Sequence, residues 1–285
     1  MKTMSGCAIV LLVMGLCSVA MASETLRFQP PIGYSQDFEI EVDGTAVARD
    51  EHIQFHGTMQ MNQLVTGAST DLAEPIPVEV TLLEGEIHYN DKMKPSRYIG
   101  DPLKALRTPL GQITSISQPL DDDDETGIDV TAAVLYASSL LVFPERETRP
   151  GATWDGSHDA FDPYGDYVPV TAENRFADML ELPDATLIQV DSEGHFPYHT
   201  EVDDRVLEGT LEYYLEMTLE KETGTLREAR LKLYGELTTD GPIGMRIGIH
   251  VRELNVHIEQ TEARIEDLDE PESADPPDTG DPDAE

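Results

Sequence analysis

From Leu207 to Leu237 the chain alternates apolar and polar residues with a period of two. Leu207, Gly209, Leu211, Tyr213, Leu215, Met217 and Leu219 share one parity, and Glu208, Thr210, Glu212, Glu216, Thr218 and Glu220 share the other. The stretch is rich in Leu, Glu, Lys, Met and Arg, which are good helix formers. A helix would nevertheless spread these apolar residues around its whole circumference, whereas a strand puts i, i+2 and i+4 on one face. Lys221-Glu222-Thr223-Gly224 breaks the alternation with a turn-forming pair, and Ala229, Leu231, Leu233, Gly235 and Leu237 resume it. Pattern outranks propensity here and predicts a β-hairpin.

The same rhythm recurs. Phe38, Ile40 and Val42 alternate with acids, and Ile53, Phe55, Gly57, Met59 and Met61 alternate with polar residues. Ile76, Val78, Val80 and Leu82 make another strand, whose parity shifts to Gly85, Ile87 and Tyr89, as a β-bulge requires. Ile243 to Val251 alternates, slips at Arg252-Glu253, and continues through Leu254, Val256 and Ile258. Val168 to Val170 and Leu187 to Val190 are weaker strands of the same kind. One segment breaks the rule. Asp121 to Leu141 opens with acids, which suit a helix N-terminus, and its apolar residues follow a helical spacing up to Pro144. The expected fold is therefore mainly β: long antiparallel strands in a curved sheet, as a half-barrel or as two related β halves, with one helix near the chain midpoint. A short internal similarity supports relatedness of the halves. Gly57-Thr58-Met59-Gln60-Met61 resembles Gly209-Thr210-Leu211-Glu212-Tyr213, and the strand around Gly85 resembles that around Gly235.

Lys2, the apolar run from Ala8 to Leu16 and the Ala20-Met21-Ala22 site predict a signal peptide over residues 1–22. The run is short for a membrane span, and no later stretch approaches ~20 apolar residues. Leu16 before Cys17 argues against lipidation. Localisation is thus expected to be exported, periplasmic or extracellular. Cys7 and Cys17 both fall in this segment, so the remainder has no thiol for a disulfide or a metal. The net charge of -37 disfavours nucleic acid and anionic membranes. Much of it is spread as a solvated surface, and residues 265–285 read as a disordered acidic tail. The remaining chain divides into a first β half with the helix (23–142) and a second β half (143–264).

At Phe143-Pro144, followed by Gly151-Ala152-Thr153-Trp154, the sequence resembles a family of uncharacterised exported bacterial β-rich proteins. In these a Gly-x-Thr-Trp motif opens a second β half after a helix. Gly111 to Ile116 resembles their strand before the helix, and the Thr223-Gly224 hairpin resembles their last long hairpin. Ala152 departs from the acid usual at its position. The resemblance implies an architecture similar to the half-barrels of periplasmic lipoprotein carriers and lipid-binding lipoproteins. It implies no catalytic residues, and it makes Trp154 a packing residue.

Chemistry-bearing motifs are sparse. No Gly-x-Ser-x-Gly elbow or His-Glu-x-x-His occurs, and Ser157-His158-Asp159 are chain neighbours rather than a spatial triad. His52 and His56, like His195 and His199, are four apart, about 13 Å along an extended strand and too far for one metal. Solvated histidines are the plainer reading. The candidate cation site is the loop carrying Asp155, Asp159, Asp162 and Asp166, because calcium takes several oxygen ligands from a flexible loop. It lacks the EF-hand order, and 56 acids make such a cluster common by composition alone. No cofactor other than this calcium is expected. Met59, Met61, Met179, Met217 and Met245 lie among the apolar positions and suit a pliable interior. The function these features favour is a non-enzymatic exported protein that binds an apolar, lipid-like ligand or a partner protein on its curved sheet. The alternatives are an envelope-structural protein with a solid core and a calcium-dependent hydrolase.

Overall fold

The computed structural model describes residues 23–49, 51–69, 71, 74–90, 92–95, 99–117, 140–161, 167–202, 205–240 and 246–268. They form thirteen strands: β1 (Tyr34–Ala48), β2 (Glu51–Val65), β3 (Ile76–Tyr89), β4 (Lys92–Pro95), β5 (Pro102–Arg107), β6 (Ile113–Ser117), β7 (Thr153–Asp155), β8 (His158–Phe161), β9 (Tyr167–Glu181), β10 (Thr186–Val202), β11 (Arg205–Glu220), β12 (Leu226–Asp240) and β13 (Arg246–Ile265). All belong to one antiparallel sheet in the order β6-β5-β3-β2-β1-β13-β12-β11-β10-β9-β7, with β4 on β3 and β8 on β9. The two halves of the chain meet where its first and last long strands, β1 and β13, pair. The sheet is therefore continuous across both halves.

This corrects the expected helix. The described residues are all β, with no helix among them. Most of the segment expected to be helical, residues 121–139, lies outside the described residues. Its last two members, Leu140 and Leu141, are non-helical chain almost fully buried in the core. The reason is visible in their partners. The Tyr213 hydroxyl donates to Leu140 O, while Trp154 Nε1 (2.8 Å) and Asn174 Nδ2 (3.0 Å) both donate to Val142 O. Sheet side chains thus satisfy the backbone carbonyls of a strap that runs over the core as irregular chain. A strap gripped in this way buries consecutive residues, so Leu140 and Leu141 both reach the core without helical backbone.

The alternation elsewhere is reproduced in three dimensions. The Leu207–Leu237 stretch is the β11–β12 hairpin, with Leu211 opposite Gly235 and Gly209 opposite Leu237. The β2–β3 hairpin has the same arrangement, with Met59 opposite Gly85 and Gly57 opposite Ile87. The internal similarity therefore has a matching register. The parity shift in β3 is a register shift beside Leu82, and the slip at Arg252 is a shift in the β1–β13 ladder. Met59, Met61 and Met217 are buried in the core, Met179 packs at its margin, and Met245 lies outside the described residues.

The sheet curls until its edges approach. Gln112 Nε2 donates to Asp159 O (2.9 Å), joining the start of β6 to β8, and the Tyr167 hydroxyl of β9 donates to Thr114 O of β6 (3.1 Å). One end of the curl is filled by the chain itself. Phe28 and Leu26 are buried there, with Phe28 N bonded to Pro109 O and Gln29 N to Thr223 O. Gly224 permits this closure: its φ is 65°, and a side chain there would collide with the carbonyl of Arg27.

Candidate functional site

Alternate residues of each long strand face the inside of the curl, so the register dictates which side chains meet there. At the filled end the inner residues, including Ile40, Met59, Leu215 and Phe176, are buried. Towards the other end the inner face changes character. Val42 lies opposite Val256, Leu254 opposite Leu233, and Ala48, Ile249 and Leu237 form one row across β1, β13 and β12. Val42, Leu233, Ile249, Val251 and Val256 are only half-buried although they continue the core. This is a contiguous apolar surface left partly open.

One polar atom in it has no partner. Thr239 faces inward from β12, opposite Leu207 and Ile247; it is 7% exposed, and its hydroxyl makes no hydrogen bond among the described residues. A buried hydroxyl without a partner costs about 1–3 kcal/mol. The open half of the inner face thus combines uncovered apolar area with an unused hydrogen-bonding group.

Polar groups deeper in the curl are structural. Ser192 Oγ and the Tyr213 hydroxyl lie 3.2 Å apart, and burial pushes the Tyr213 phenol up, keeping it protonated as the donor to Leu140 O. Arg107 is 9% exposed on the inner side of β5. Its Nε donates to Gly111 O (3.0 Å), its guanidinium lies 4.4 Å from the centre of the Phe28 ring, and burial pushes its pKa down to about 10. Asn174, fully buried, stands at an inner position between Ala172 and Phe176. A polar residue in an otherwise apolar row was its sequence signal. Nothing in the sequence marked the strap that it holds.

On the outer face, two shallow depressions cross β9 to β13 and share Glu212 and Tyr234. Backbone at Gly194, Gly209 and Gly235 lines their floor, and Glu193, Glu208, Glu236, His195, His199 and His250 surround it. They are broad and open to solvent, unlike an enclosed catalytic cleft.

Of the four expected cation ligands, Asp155 and Asp159 are among the described residues. Asp155 ends β7, and its carboxylate accepts from Ser157 N (2.9 Å); hydrogen bonds from the Ser157 side chain and backbone hold it below the usual carboxylate range. Asp159 lies in β8, which pairs with a different stretch of β9 from β7. Asp162 and Asp166 lie outside the described residues. Among the described residues, no group of three or more His, Cys, Asp or Glu is arranged to hold a metal. Trp154 packs against the core and bonds to the strap, the packing role expected of it. No described helix is long and apolar enough to cross a membrane.

No family model matches the chain, and no curated protein matches it. Among solved structures it is similar to lipovitellin, described under lipid–protein interactions in lipovitellin, with a TM-score of 0.52 and 11% identity over 86% of this chain and 26% of that one. The chain thus spans about a quarter of lipovitellin's length. DynF from the dynemicin biosynthesis pathway of Micromonospora chersina has a TM-score of 0.26 at 11% identity, over 83% of this chain and 85% of that one. An outer membrane channel from Pseudomonas putida F1 has a TM-score of 0.22 at 8% identity, over 82% of this chain and 97% of that one. The last two overlap too loosely to carry an argument. The likeness to lipovitellin is one of fold alone.

Proposed function

We propose that this chain is an exported, non-enzymatic binding protein that holds a lipid-like molecule against the open half of its inner face. The observation that carries this reading is the half-buried apolar surface of Val42, Leu233, Ile249, Val251 and Val256, continuous with a sealed core. Covering such area with an acyl chain is favourable by about 25 cal/mol per Å². The unpaired Thr239 hydroxyl at the same end suits a molecule with a polar head and an apolar body. The likeness in fold to a part of lipovitellin, a structure described under lipid–protein interactions, is in keeping with this reading.

Native mass spectrometry of protein purified without detergent, followed by organic extraction, tests the reading. A bound apolar molecule, or uptake of offered phospholipid or fatty acid, is the expected result. Leu233→Glu places a charge on the open surface and should lower uptake at least tenfold while leaving the circular dichroism unchanged. An apo mass that persists when these lipids are offered would overturn the proposal.

A further inference from the structure

Away from the inner face, one row of the outer face brings together side chains that the sequence scatters over fifty residues. In the ladders of β1 to β4, Asp43 stands opposite His56, His56 opposite His88, and His88 opposite Met93. Directly opposed residues of antiparallel strands share a face, with Cβ atoms about 4.5–5.5 Å apart. Two imidazoles at that spacing converge on one ion at ordinary nitrogen–metal distances of about 2 Å. Met93 flanks them on the short strand β4. It is 60% exposed, so its thioether contributes little to any core.

We propose that His56, His88 and Met93 form a surface site for a single Cu(I) ion. The donor set decides the metal. Two imidazoles and a thioether make a soft to borderline set that suits Cu(I), whereas calcium and magnesium take oxygen donors. The surroundings favour the ion as well. Glu86 Oε1 stands 3.4 Å from His88 Nε2, the kind of carboxylate contact that orients an imidazole, leaving Nδ1 for the metal. Asp43 lies on the far side of His56, and Asn255 Nδ2 reaches its Oδ1 at 3.4 Å. The net charge of -37 raises the local concentration of any cation. Sequence spacing concealed the row, because His56 and His88 are 32 positions apart and become neighbours only through the β2–β3 register.

The test is an anaerobic titration of the whole chain with Cu(I) against a chromophoric bicinchoninate competitor. One equivalent per chain is expected, with X-ray absorption showing both sulfur and nitrogen neighbours. His88→Ala and Met93→Leu should each weaken binding at least tenfold. His195→Ala, a histidine on the same face but six strands away, should leave it unchanged. All three variants alter exposed or half-exposed positions, so the fold, checked by circular dichroism, is retained. Binding that survives His88→Ala, or falls equally in His195→Ala, would show dispersed histidine binding and overturn the proposal, as would no competition with the chelator. Lipid uptake is measured separately and does not depend on this row.

Discussion

Tyr213 shows how a single side chain ties the strap to the sheet. Its hydroxyl serves both Leu140 O and Ser192 Oγ inside the core. Tyr213→Phe removes that link and leaves two buried polar groups without it, so urea denaturation should show a loss of about 1–3 kcal/mol. Arg107 is the opposite case, a buried cation with a carbonyl and an aromatic ring as partners. Replacing a buried charge by an apolar side chain of similar size is often neutral or stabilising by about 1–4 kcal/mol. Arg107→Met should therefore leave the protein at least as stable at pH 7, although it loses the bond to Gly111. The pH dependence has a definite sign. Below pH 10 both folded and unfolded states hold the proton, and the folded state bears the desolvation cost. From about 10 up to the ordinary guanidinium range the folded state releases its proton first, so the cost lifts as pH rises. The advantage of Arg107→Met should shrink across that window, as read from paired urea melts.

Among the strands, register creates both the inner face and its liabilities. Glu39 lies opposite Glu259, and Glu259 opposite Glu228, so three acids form one outward row across β1, β13 and β12. Part of this repulsion is relieved, because Glu228 Oε1 contacts Arg230 Nη2 (2.7 Å) and His257 Nε2 (3.0 Å). Glu259 is the central member of the row. Glu259→Gln should stabilise the protein by about 0.2–1 kcal/mol at low salt, the usual scale for a directly opposed pair. The gain should vanish near 1 M salt, where screening acts over about 3 Å. Thermal melts at the two ionic strengths measure this.

For the whole molecule, charge and curvature oppose one another. A chain with a net charge of -37 repels itself when compact, and the curl brings distant acidic surfaces together. Sodium chloride between 0.05 and 1 M should therefore raise the melting temperature by several degrees. A flat or falling response would show that the surface charge is already balanced locally. The seam between β6 and β8 is closed by side chains reaching backbone carbonyls, Gln112 to Asp159 and Tyr167 to Thr114. Closure thus rests on few contacts, whereas the β1–β13 junction is a ladder running the length of both strands.

The long strands, their inward residues, the β3 bulge and the β11–β12 hairpin were legible in the sequence, because a period of two is a local property that burial of one face imposes on every strand. Residues such as Leu211, Tyr213 and Leu215 announced their side of the sheet before any partner was known. The partners themselves were a different matter. That β1 pairs with β13, that His56 meets His88, and that Val42 and Val256 share an uncovered surface depend on how strands far apart in the chain are ordered. Leu140 and Leu141, expected to end a helix, belong instead to the strap that runs to Phe143, for the same reason. Its apolar residues are gripped from β9 and β11, and no periodicity along the chain records contacts made with strands that lie elsewhere in it.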